Sequence, residues 1–179
     1  MLTKDFSYNL PEDLIAQNPI AERGTSRMLV LEKGCEISDS LFQKLPQYLQ
    51  PGDLVVLNDT SVIPARLFLE KESGGKVELV LERILGREEL VVQLHANKTP
   101  KSGMILILND KKIFLIKKKI EDMFLLNYLG GDEIIDLFNE FGHMPLPPYI
   151  KRIDNSIDKE RYQTVFSNKL GAVAAPTAG

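Results

Sequence analysis

The stretch SGGKVELVLE at residues 73–82 is the clearest guide to the fold. Gly74 and Gly75 favour a tight turn, and the run rich in Val and Leu that follows predicts a short strand. Similar runs recur on both sides, separated by turn-forming Gly, Pro, Asn and Asp residues. The predicted strands lie at residues 66–69, 76–82, 90–94, 104–108, 112–117 and 123–128. Several short strands joined by tight turns predict a small β-barrel or sandwich of about 65 residues.

Different patterns flank this strand-rich region. Brief apolar runs at residues 28–31 and 53–57 predict buried strands. Helices are predicted after Pro11, around residues 41–49 with a break near Pro46, at residues 134–141 with Gly142 as the C-cap, and at residues 158–166. The segment MPLPPY at residues 144–149 is predicted to be extended, because each proline fixes its φ angle and restricts the residue before it.

The composition excludes several classes of protein. A chain of 179 residues allows one domain or two small ones. The single cysteine, Cys35, cannot form an intramolecular disulfide, and with only two histidines no Cys/His cluster can build a closed zinc site. The longest aliphatic run, residues 104–108, is far shorter than the roughly 20 residues of a membrane-spanning helix, and the N-terminus lacks the apolar stretch of a signal peptide. We therefore expect a cytoplasmic protein that does not cross a membrane.

Charge is distributed unevenly along the chain, whose net charge is −3. Residues 62–129 hold 12 Lys+Arg against 9 Asp+Glu, whereas the rest of the chain holds 10 against 16. The middle is therefore basic and the flanks are acidic. Two interpretations stay open for the lysines of this region: contact with an RNA backbone, or a solvated edge that discourages sheet aggregation. The lysines concerned are Lys111, Lys112, Lys117, Lys118 and Lys119.

Chemistry is expected at polar clusters, because neither a glycine-rich nucleotide-binding loop nor a G-x-S-x-G elbow occurs in the sequence. The first cluster, residues 58–66, begins at the carboxyl end of a predicted strand, where ligands often bind. Asp59 and Arg66 could bind such a ligand. Alternatively, Asn58 and Asp59 form an Asx-type turn, and Arg66 pairs with a neighbouring acid.

Two further clusters lie nearer the C-terminus. His143 follows a helix end and precedes the stiff proline segment, which suits proton transfer; completion of the helix C-terminus by a cation is the alternative. The third cluster joins residues 161–164 to the small-residue tail 171–179, where a flat ligand could approach the backbone; tight helix packing is the alternative. The nearly uncharged tail also leads us to expect an incomplete chain.

Taken in this order, these segments resemble the N-terminal part of the S-adenosylmethionine:tRNA ribosyltransferase-isomerase family of queuosine biosynthesis. The resemblance covers essentially the whole chain. It rests on DF at residues 5–6 with LP at 10–11, the loop containing Pro19, Arg23, Ser26 and Arg27, PGDL at 51–54, NDT at 58–60, IPAR at 63–66, SGGKVE at 73–78, residues 142–150, YQTV at 162–165 and residues 171–179.

The resemblance implies a fold of class α/β plus all-β, in which a barrel-like α/β domain carries an inserted small antiparallel β-barrel domain. Residues 1–61 and 131–179 are then expected to form a discontinuous α/β domain whose C-terminal part is missing here. Residues 62–130 are expected to form the inserted barrel. The family also implies a monomer.

The resemblance further implies that S-adenosylmethionine is used as a ribosyl donor. Its ribosyl moiety is transferred to 7-aminomethyl-7-deazaguanine in the wobble position of a tRNA and isomerised, giving epoxyqueuosine-tRNA with release of adenine and methionine. The implied partners are S-adenosylmethionine and this tRNA, and no metal is expected.

This chemistry requires proton transfer, for which we nominate Asp59 and His143. Arg66 is expected to bind the methionine carboxylate or a tRNA phosphate. The other expected substrate-binding residues are Asn58, Thr60, Tyr149, Tyr162, Gln163, Thr164, Pro176 and Thr177. Two alternatives remain: a non-catalytic RNA-binding β-barrel module, and an inactive fragment of the enzyme.

Overall fold

The structure is a computed structural model that describes residues 1–31, 34 and 36–175. Predictions that concern Cys35, Pro176 and Thr177 lie outside these described residues. The chain divides into two compact units, described separately below. The first consists of Met1–Leu57 and Pro148–Arg152, and the second of Asn58–Pro147 and the chain from Ile153 onward.

Ten strands and two α-helices form most of the regular structure of the described residues. The strands are β1 (Arg27–Val30), β2 (Ser38–Leu41), β3 (Thr60–Val62), β4 (Arg66–Lys71), β5 (Lys76–Ile84), β6 (Glu89–His95), β7 (Ile105–Leu108), β8 (Lys111–Ile120), β9 (Met123–Tyr128) and β10 (Lys169–Ala172); the helices are α1 (Ile134–Phe141) and α2 (Ser156–Arg161). Within the described ranges, no helix has the length and apolar character needed to span a membrane.

Six strands of the second unit close into an antiparallel barrel. Their order is β4-β5-β6-β9-β8-β7, and β7 pairs back to β4. Each of the six strands predicted between residues 66 and 128 is present. The closed barrel confirms the all-β part of the predicted fold. The barrel-like α/β domain, and the domain boundaries that assign 1–61 and 131–179 to it and 62–130 to the barrel, stay predictions.

Alternate residues of the strands fill the interior of the barrel. On β5, Val77, Leu79 and Leu81 are buried, and on β4 Leu67 and Leu69 are buried. Successive side chains of a strand point to opposite faces, so this alternation places one apolar row inside a closed sheet. Bulges interrupt the β5–β6, β7–β8 and β8–β9 ladders, and such irregularities increase the local bend that closure requires.

The end of α1 packs closely against the chain that leads into the barrel. The helix has the predicted bounds, and its residues Ile134, Leu137 and Phe138 are buried in the same core as the barrel interior. Gly142 is the C-cap, and its N–H donates to the Phe138 carbonyl oxygen at 2.8 Å. Its φ of −76° suits any residue, so glycine is required for space: a Cβ would lie 2.1 Å from the Pro64 carbonyl oxygen.

The helix α2 is shorter than predicted, covering Ser156–Arg161 instead of residues 158–166. It begins earlier because Asn155 caps it, accepting from the Ile157 N–H at 3.0 Å, while Asp158 accepts from the Asn155 N–H at 2.8 Å. It ends earlier because the side chains of Gln163 and Thr164 bond to distant backbone groups near β3.

Two short strands, β3 and β10, were not predicted from the sequence. They pair in parallel, with Thr60 opposite Lys169 and Ser61 opposite Leu170. β3 lies within the first polar cluster, residues 58–66, for which no strand was predicted. Its partner is more than 100 residues away in the chain, and local sequence patterns do not reveal such a pairing.

The described residues of the first unit contain the antiparallel pair β1–β2 and three 3-10 helices, Thr3–Phe6, Glu12–Leu14 and Phe42–Tyr48. The predicted strand at residues 28–31 is present as β1, but its expected burial is wrong, because the Leu29 and Leu31 side chains are 68% and 74% exposed. The helix predicted after Pro11 is only a 3-10 turn. The helix predicted around residues 41–49 is a 3-10 helix preceded by β2, and Pro46 inside it lacks the N–H that an α-helix needs.

The predicted strand at residues 53–57 is wrong. A strand needs neighbours for its backbone groups and packing for its side chains, and the described part of the first unit supplies no strand partner to this segment. The Leu54 and Val56 side chains are accordingly 88% and 84% exposed.

The contact at Gly142 predicts the effect of adding one methyl group. Gly142→Ala should lower the free energy of unfolding by about 1–3 kcal/mol, because the new Cβ forces the Pro64 and Phe138 carbonyl groups apart. Gly86→Ala is the matched control, since a Cβ at Gly86 meets no atom within 4 Å. Denaturant unfolding measures both values, and equal stability of the two variants would contradict the packing described here.

Candidate active site

Arg66 and His143, predicted in separate clusters, are joined through their backbones. The His143 N–H donates to the Arg66 carbonyl oxygen at 2.8 Å, and the Arg66 N–H donates to the His143 carbonyl oxygen at 3.1 Å. This antiparallel bridge ties the residue after the α1 C-cap to the first residue of β4. Two of the three predicted polar clusters therefore meet.

The imidazole of His143 is held by a carboxylate and an aromatic ring. Its Nδ1 lies 2.8 Å from Oδ1 of Asp154, and the other oxygen of Asp154 accepts from the Met144 N–H at 2.9 Å. The Phe68 ring lies with its centroid 4.9 Å from that of the imidazole. The Asp154 side chain is 10% exposed and that of His143 is 37% exposed. The histidine therefore has a fixed direction and remains accessible.

The guanidinium of Arg66 is also held by neighbouring groups. Its Nε lies 2.9 Å from Oε1 of Glu78, and its Nη2 donates to the Leu146 carbonyl oxygen at 3.1 Å. Pairing with a neighbouring acid was the structural alternative for this residue. This ion pair places one positive and one negative charge in the part of the surface that contains His143.

An open cleft of about 480 Å³ lies along β4 and β5, and neither His143 nor Arg66 is among its lining residues. Phe68 and Glu78, which contact His143 and Arg66, both line it. Its volume falls within the range of small-molecule sites, roughly 300–1,000 Å³. The remaining lining includes polar groups from β4, β5, the end of β6 and the bend that follows it, among them Glu70, Lys76, His95 and Asn97.

A second group of predicted residues surrounds β3. The Asn58 side chain accepts from the Thr60 N–H at 3.0 Å, which is the Asx-type turn considered from the sequence. The Thr164 hydroxyl, which is buried, donates to the Asn58 carbonyl oxygen at 2.7 Å. These contacts join the first and third predicted clusters.

Gln163 pairs with the backbone of Val62 in the manner of a neighbouring strand. Its Oε1 accepts from the Val62 N–H and its Nε2 donates to the Val62 carbonyl oxygen, both at 2.8 Å. One amide side chain thereby satisfies both backbone groups of a residue at the end of β3. The contact has a structural role irrespective of any ligand.

Asp59 forms an exposed ion pair with Lys169 of β10. The Lys169 Nζ lies 2.6 Å from Oδ2 of Asp59. This hydrogen bond and the charge of Lys169 lower the pKa of Asp59, and the carboxylate raises the pKa of Lys169. A carboxylate with a lowered pKa is a weaker proton acceptor, so this environment favours His143 over Asp59 for proton transfer.

The other nominated residues belong to different parts of the chain. Tyr149 lies in the first compact unit, where its carbonyl oxygen accepts from the Gln17 side chain at 3.1 Å. Tyr162 is the C-cap of α2, and its N–H donates to the Asp158 carbonyl oxygen at 2.9 Å. Pro176 and Thr177 lie outside the described residues.

Three residues of the site were missed by sequence reasoning: Phe68, Glu78 and Asp154. Phe68 and Glu78 lie on adjacent strands, and their proximity to Arg66 and His143 depends on the β4–β5 register. Asp154 contacts His143, eleven positions earlier in the chain. The segment 144–149 between them was predicted to be extended, but the Leu146 N–H donates to the Met144 carbonyl oxygen at 2.8 Å and residues 148–149 form a turn, so the chain folds back. No spacing rule links an acid to a histidine over such a distance.

Several exposed lysines on β8 contact other side chains of the second unit. The Lys112 Nζ lies 2.8 Å from Oε1 of Glu72, and the Lys117 Nζ lies 2.6 Å from Oε1 of Glu89. The Lys119 Nζ lies 5.9 Å from the Phe124 ring centroid. Both interpretations, RNA contact and a solvated face, remain compatible with these contacts. In the part of the chain that the structure describes, no three or more His, Cys, Asp or Glu residues are grouped so as to hold a metal ion.

The second unit thus combines a closed β-barrel with a histidine and carboxylate arranged as in acid–base sites, beside an open cleft. The chain is similar to known proteins. The family described as "Queuosine biosynthesis protein" matches residues 3–179. The chain belongs to this family, which confirms the resemblance found in the sequence.

Curated relatives match the chain over its whole length. Proteins named S-adenosylmethionine:tRNA ribosyltransferase-isomerase from Legionella pneumophila (strain Lens) and Xanthomonas euvesicatoria pv. vesicatoria are 46% and 47% identical to it over 180 residues. These alignments cover 100% of this chain, and 53% and 51% of the respective relatives. The chain therefore spans about half the length of the curated relatives it matches.

A solved structure is also similar. The crystal structure of S-adenosylmethionine tRNA ribosyltransferase from Thermotoga maritima is 26% identical, and the alignment covers 93% of this chain and 56% of that chain with a TM-score of 0.39.

The ion pair between Asp59 and Lys169 predicts a pH-dependent contribution to stability. A lowered Asp59 pKa stabilises the fold above the ordinary carboxyl value of 3.8, and this contribution is lost as the pH falls through the lowered pKa. A raised Lys169 pKa stabilises the fold at pH values below the ordinary lysine pKa of 10.5, and this contribution is lost as the pH rises through the raised pKa. The contribution of this ion pair to the free energy of unfolding should therefore be constant between pH 3.8 and pH 10.5. It should decrease as salt is added, since both groups are exposed.

Lys169→Met tests this expectation against Lys118→Met, which removes an exposed lysine from β8. The difference in free energy of unfolding between the parent chain and Lys169→Met should be small near neutral pH and should vanish in strong acid. An unchanged difference after protonation of the carboxylates would contradict the assigned ion pair.

Proposed function

We propose that this protein acts in the reaction named for its relatives, as an S-adenosylmethionine:tRNA ribosyltransferase-isomerase. It would transfer the ribosyl moiety of S-adenosylmethionine to 7-aminomethyl-7-deazaguanine in the tRNA wobble position, giving epoxyqueuosine-tRNA and releasing adenine and methionine. The observation that carries the proposal is identity of 46–47% across the whole chain with proteins of that name. The proposal includes a cytoplasmic monomer with no metal requirement.

The chemistry of this transfer requires groups that move protons. The sulfonium of S-adenosylmethionine acidifies the neighbouring 5′ C–H bond, and a base that removes this proton leaves an ylide. Adenine would then depart with a proton from an acid as the ribose ring C–O bond opens, and the amine nitrogen of the deazaguanine base would bond to a carbon of the opened ribosyl chain and give one of its protons to a base. Closure of a carbon–carbon bond with formation of the epoxide would expel methionine, which takes the electron pair of its carbon–sulfur bond. The protein supplies the base, the acid and the donors that fix the two ends of the cofactor.

His143 is the group best placed to move a proton. Its backbone is bridged to β4, its ring is held by Asp154 and Phe68, and its side chain keeps access to solvent. Such fixation removes the cost of orienting the group at the moment of reaction. Asp59 is less suited as a base, because Lys169 lowers its pKa. We therefore assign the main proton-transfer role to His143 and retain Asp59 as a second candidate.

Arg66 is proposed to bind the methionine carboxylate or a tRNA phosphate. Its guanidinium already pairs with Glu78, so an incoming anion would share or replace that acid. Asn58, Thr60, Tyr149, Tyr162, Gln163, Thr164, Pro176 and Thr177 complete the proposed substrate-binding set. The lysines of β8 are the proposed contacts to the tRNA backbone, and an exposed basic surface binds phosphates in a salt-dependent manner.

Replacement of His143 tests its proposed role. In the full-length protein, His143→Ala should lower the rate of adenine release from S-adenosylmethionine at saturating tRNA by about 10²- to 10⁴-fold, the usual contribution of a general acid or base. The control is Asp122→Asn, on the exposed turn between β8 and β9, which should keep the parent rate. An unchanged rate in His143→Ala would eliminate the histidine from the chemistry.

Adenine release and RNA binding, both measured with the 179-residue chain itself, separate the alternative functions. Adenine release by the parent protein supports the enzyme. RNA binding without adenine release would instead favour a non-catalytic RNA-binding barrel, and absence of both would favour an inactive fragment.

A further inference from the structure

The carboxylate of Asp154 makes two contacts with consecutive residues. Its Oδ1 lies 2.8 Å from Nδ1 of His143, and its Oδ2 accepts from the Met144 N–H at 2.9 Å. The side chain is only 10% exposed, so few orientations are open to it. Both oxygens are thus committed to one short segment that follows α1.

These contacts determine the protonation pattern of the imidazole. A carboxylate only accepts hydrogen bonds, so in the neutral imidazole the proton must lie on Nδ1. The lone pair then lies on Nε2, on the opposite side of the ring. The backbone bridge between His143 and Arg66 fixes the backbone that carries the ring, and the Phe68 ring lies 4.9 Å from it between centroids, tilted by 60°.

We infer that Asp154 is a positioning residue that fixes the Nδ1–H tautomer of His143 and so presents Nε2 as the proton acceptor. The inference rests on the proposed function, in which His143 moves a proton. Asp154 itself contacts no reacting group in this account. It acts through the histidine and through the Met144 backbone.

An amide at position 154 distinguishes this role from simple anchoring of the loop. The Met144 N–H can only donate, so the side chain of Asp154→Asn must turn its oxygen toward Met144. Its NH₂ group then faces Nδ1 of His143, which must accept, and the proton moves to Nε2. The loop contact survives while the tautomer reverses. A similar exchange of carboxylate for amide beside a catalytic histidine costs about 10⁴-fold in the serine proteases.

The tautomer of His143 can be measured by NMR, without an activity assay. In long-range ¹H–¹⁵N correlation spectra of this chain, recorded at a pH at which the spectra themselves show neutral imidazoles, His143 should be protonated at Nδ1. Asp154→Asn should shift the proton to Nε2, whereas Asp122→Asn should leave the spectrum unchanged. Only two histidines are present, and His95→Gln assigns their signals. A parent spectrum with the proton on Nε2, or no change in Asp154→Asn, would overturn the inference.

A second variant keeps the test decisive if Asp154→Asn fails to fold. Asp154→Glu retains a carboxylate and should retain the Nδ1–H tautomer, while a glutamate variant with the proton on Nε2 would overturn the inference.

Kinetics in the full-length protein separate this inference from the proposed function. Asp154→Asn should lower kcat for adenine release about 10²-fold or more while KM changes less than about threefold, since substrate contacts are intact. If His143→Ala is inactive and Asp154→Asn keeps the parent kcat, the positioning role is overturned and the proposed function stands. If His143→Ala keeps the parent rate, the proposed role of the histidine itself fails, whatever the tautomer.

Discussion

The reciprocal backbone pairing of Arg66 and His143 is the contact on which the candidate site depends. It joins the chain after α1 to the first residue of β4, and the absence of a side chain at Gly142 allows this approach. Without the bridge, the histidine would lie on a loop with no fixed relation to Phe68, Glu78 or the cleft. With it, the rigid barrel becomes the support for a polar side chain, an arrangement that lowers the cost of orienting a reacting group.

The two polar groupings of the second unit differ in what they can do. Around β3, most nominated side chains are committed to structure: Gln163 to the Val62 backbone, Thr164 to the Asn58 carbonyl group, and Asp59 to Lys169. Around His143, the contacts direct a titratable side chain and leave part of it exposed beside a cleft. Geometry therefore favours the second grouping for proton transfer, whereas the chemistry implied by the family resemblance led us to nominate Asp59 and His143 alike.

Local patterns in the sequence predicted the elements that local forces determine. The six barrel strands and α1 follow from turn residues and apolar spacing, and the polar clusters containing Arg66 and His143 follow from their restricted backbone settings. Features set by distant partners were not accessible: the β3–β10 pairing, the early end of α2, and the contact of Asp154 with His143. The strand predicted at residues 53–57 failed for the same reason, because an apolar run becomes a strand only where a partner is available.

Hydrogen exchange of two backbone amides tests the central contact most directly. If the bridge exists in solution, the Arg66 and His143 amides should exchange as slowly as those of β5 in the barrel core, because both are paired across the same junction. A His143 amide that exchanges at the rate of an unstructured peptide while β5 remains protected would contradict the account, since the histidine would then have no fixed place beside the barrel.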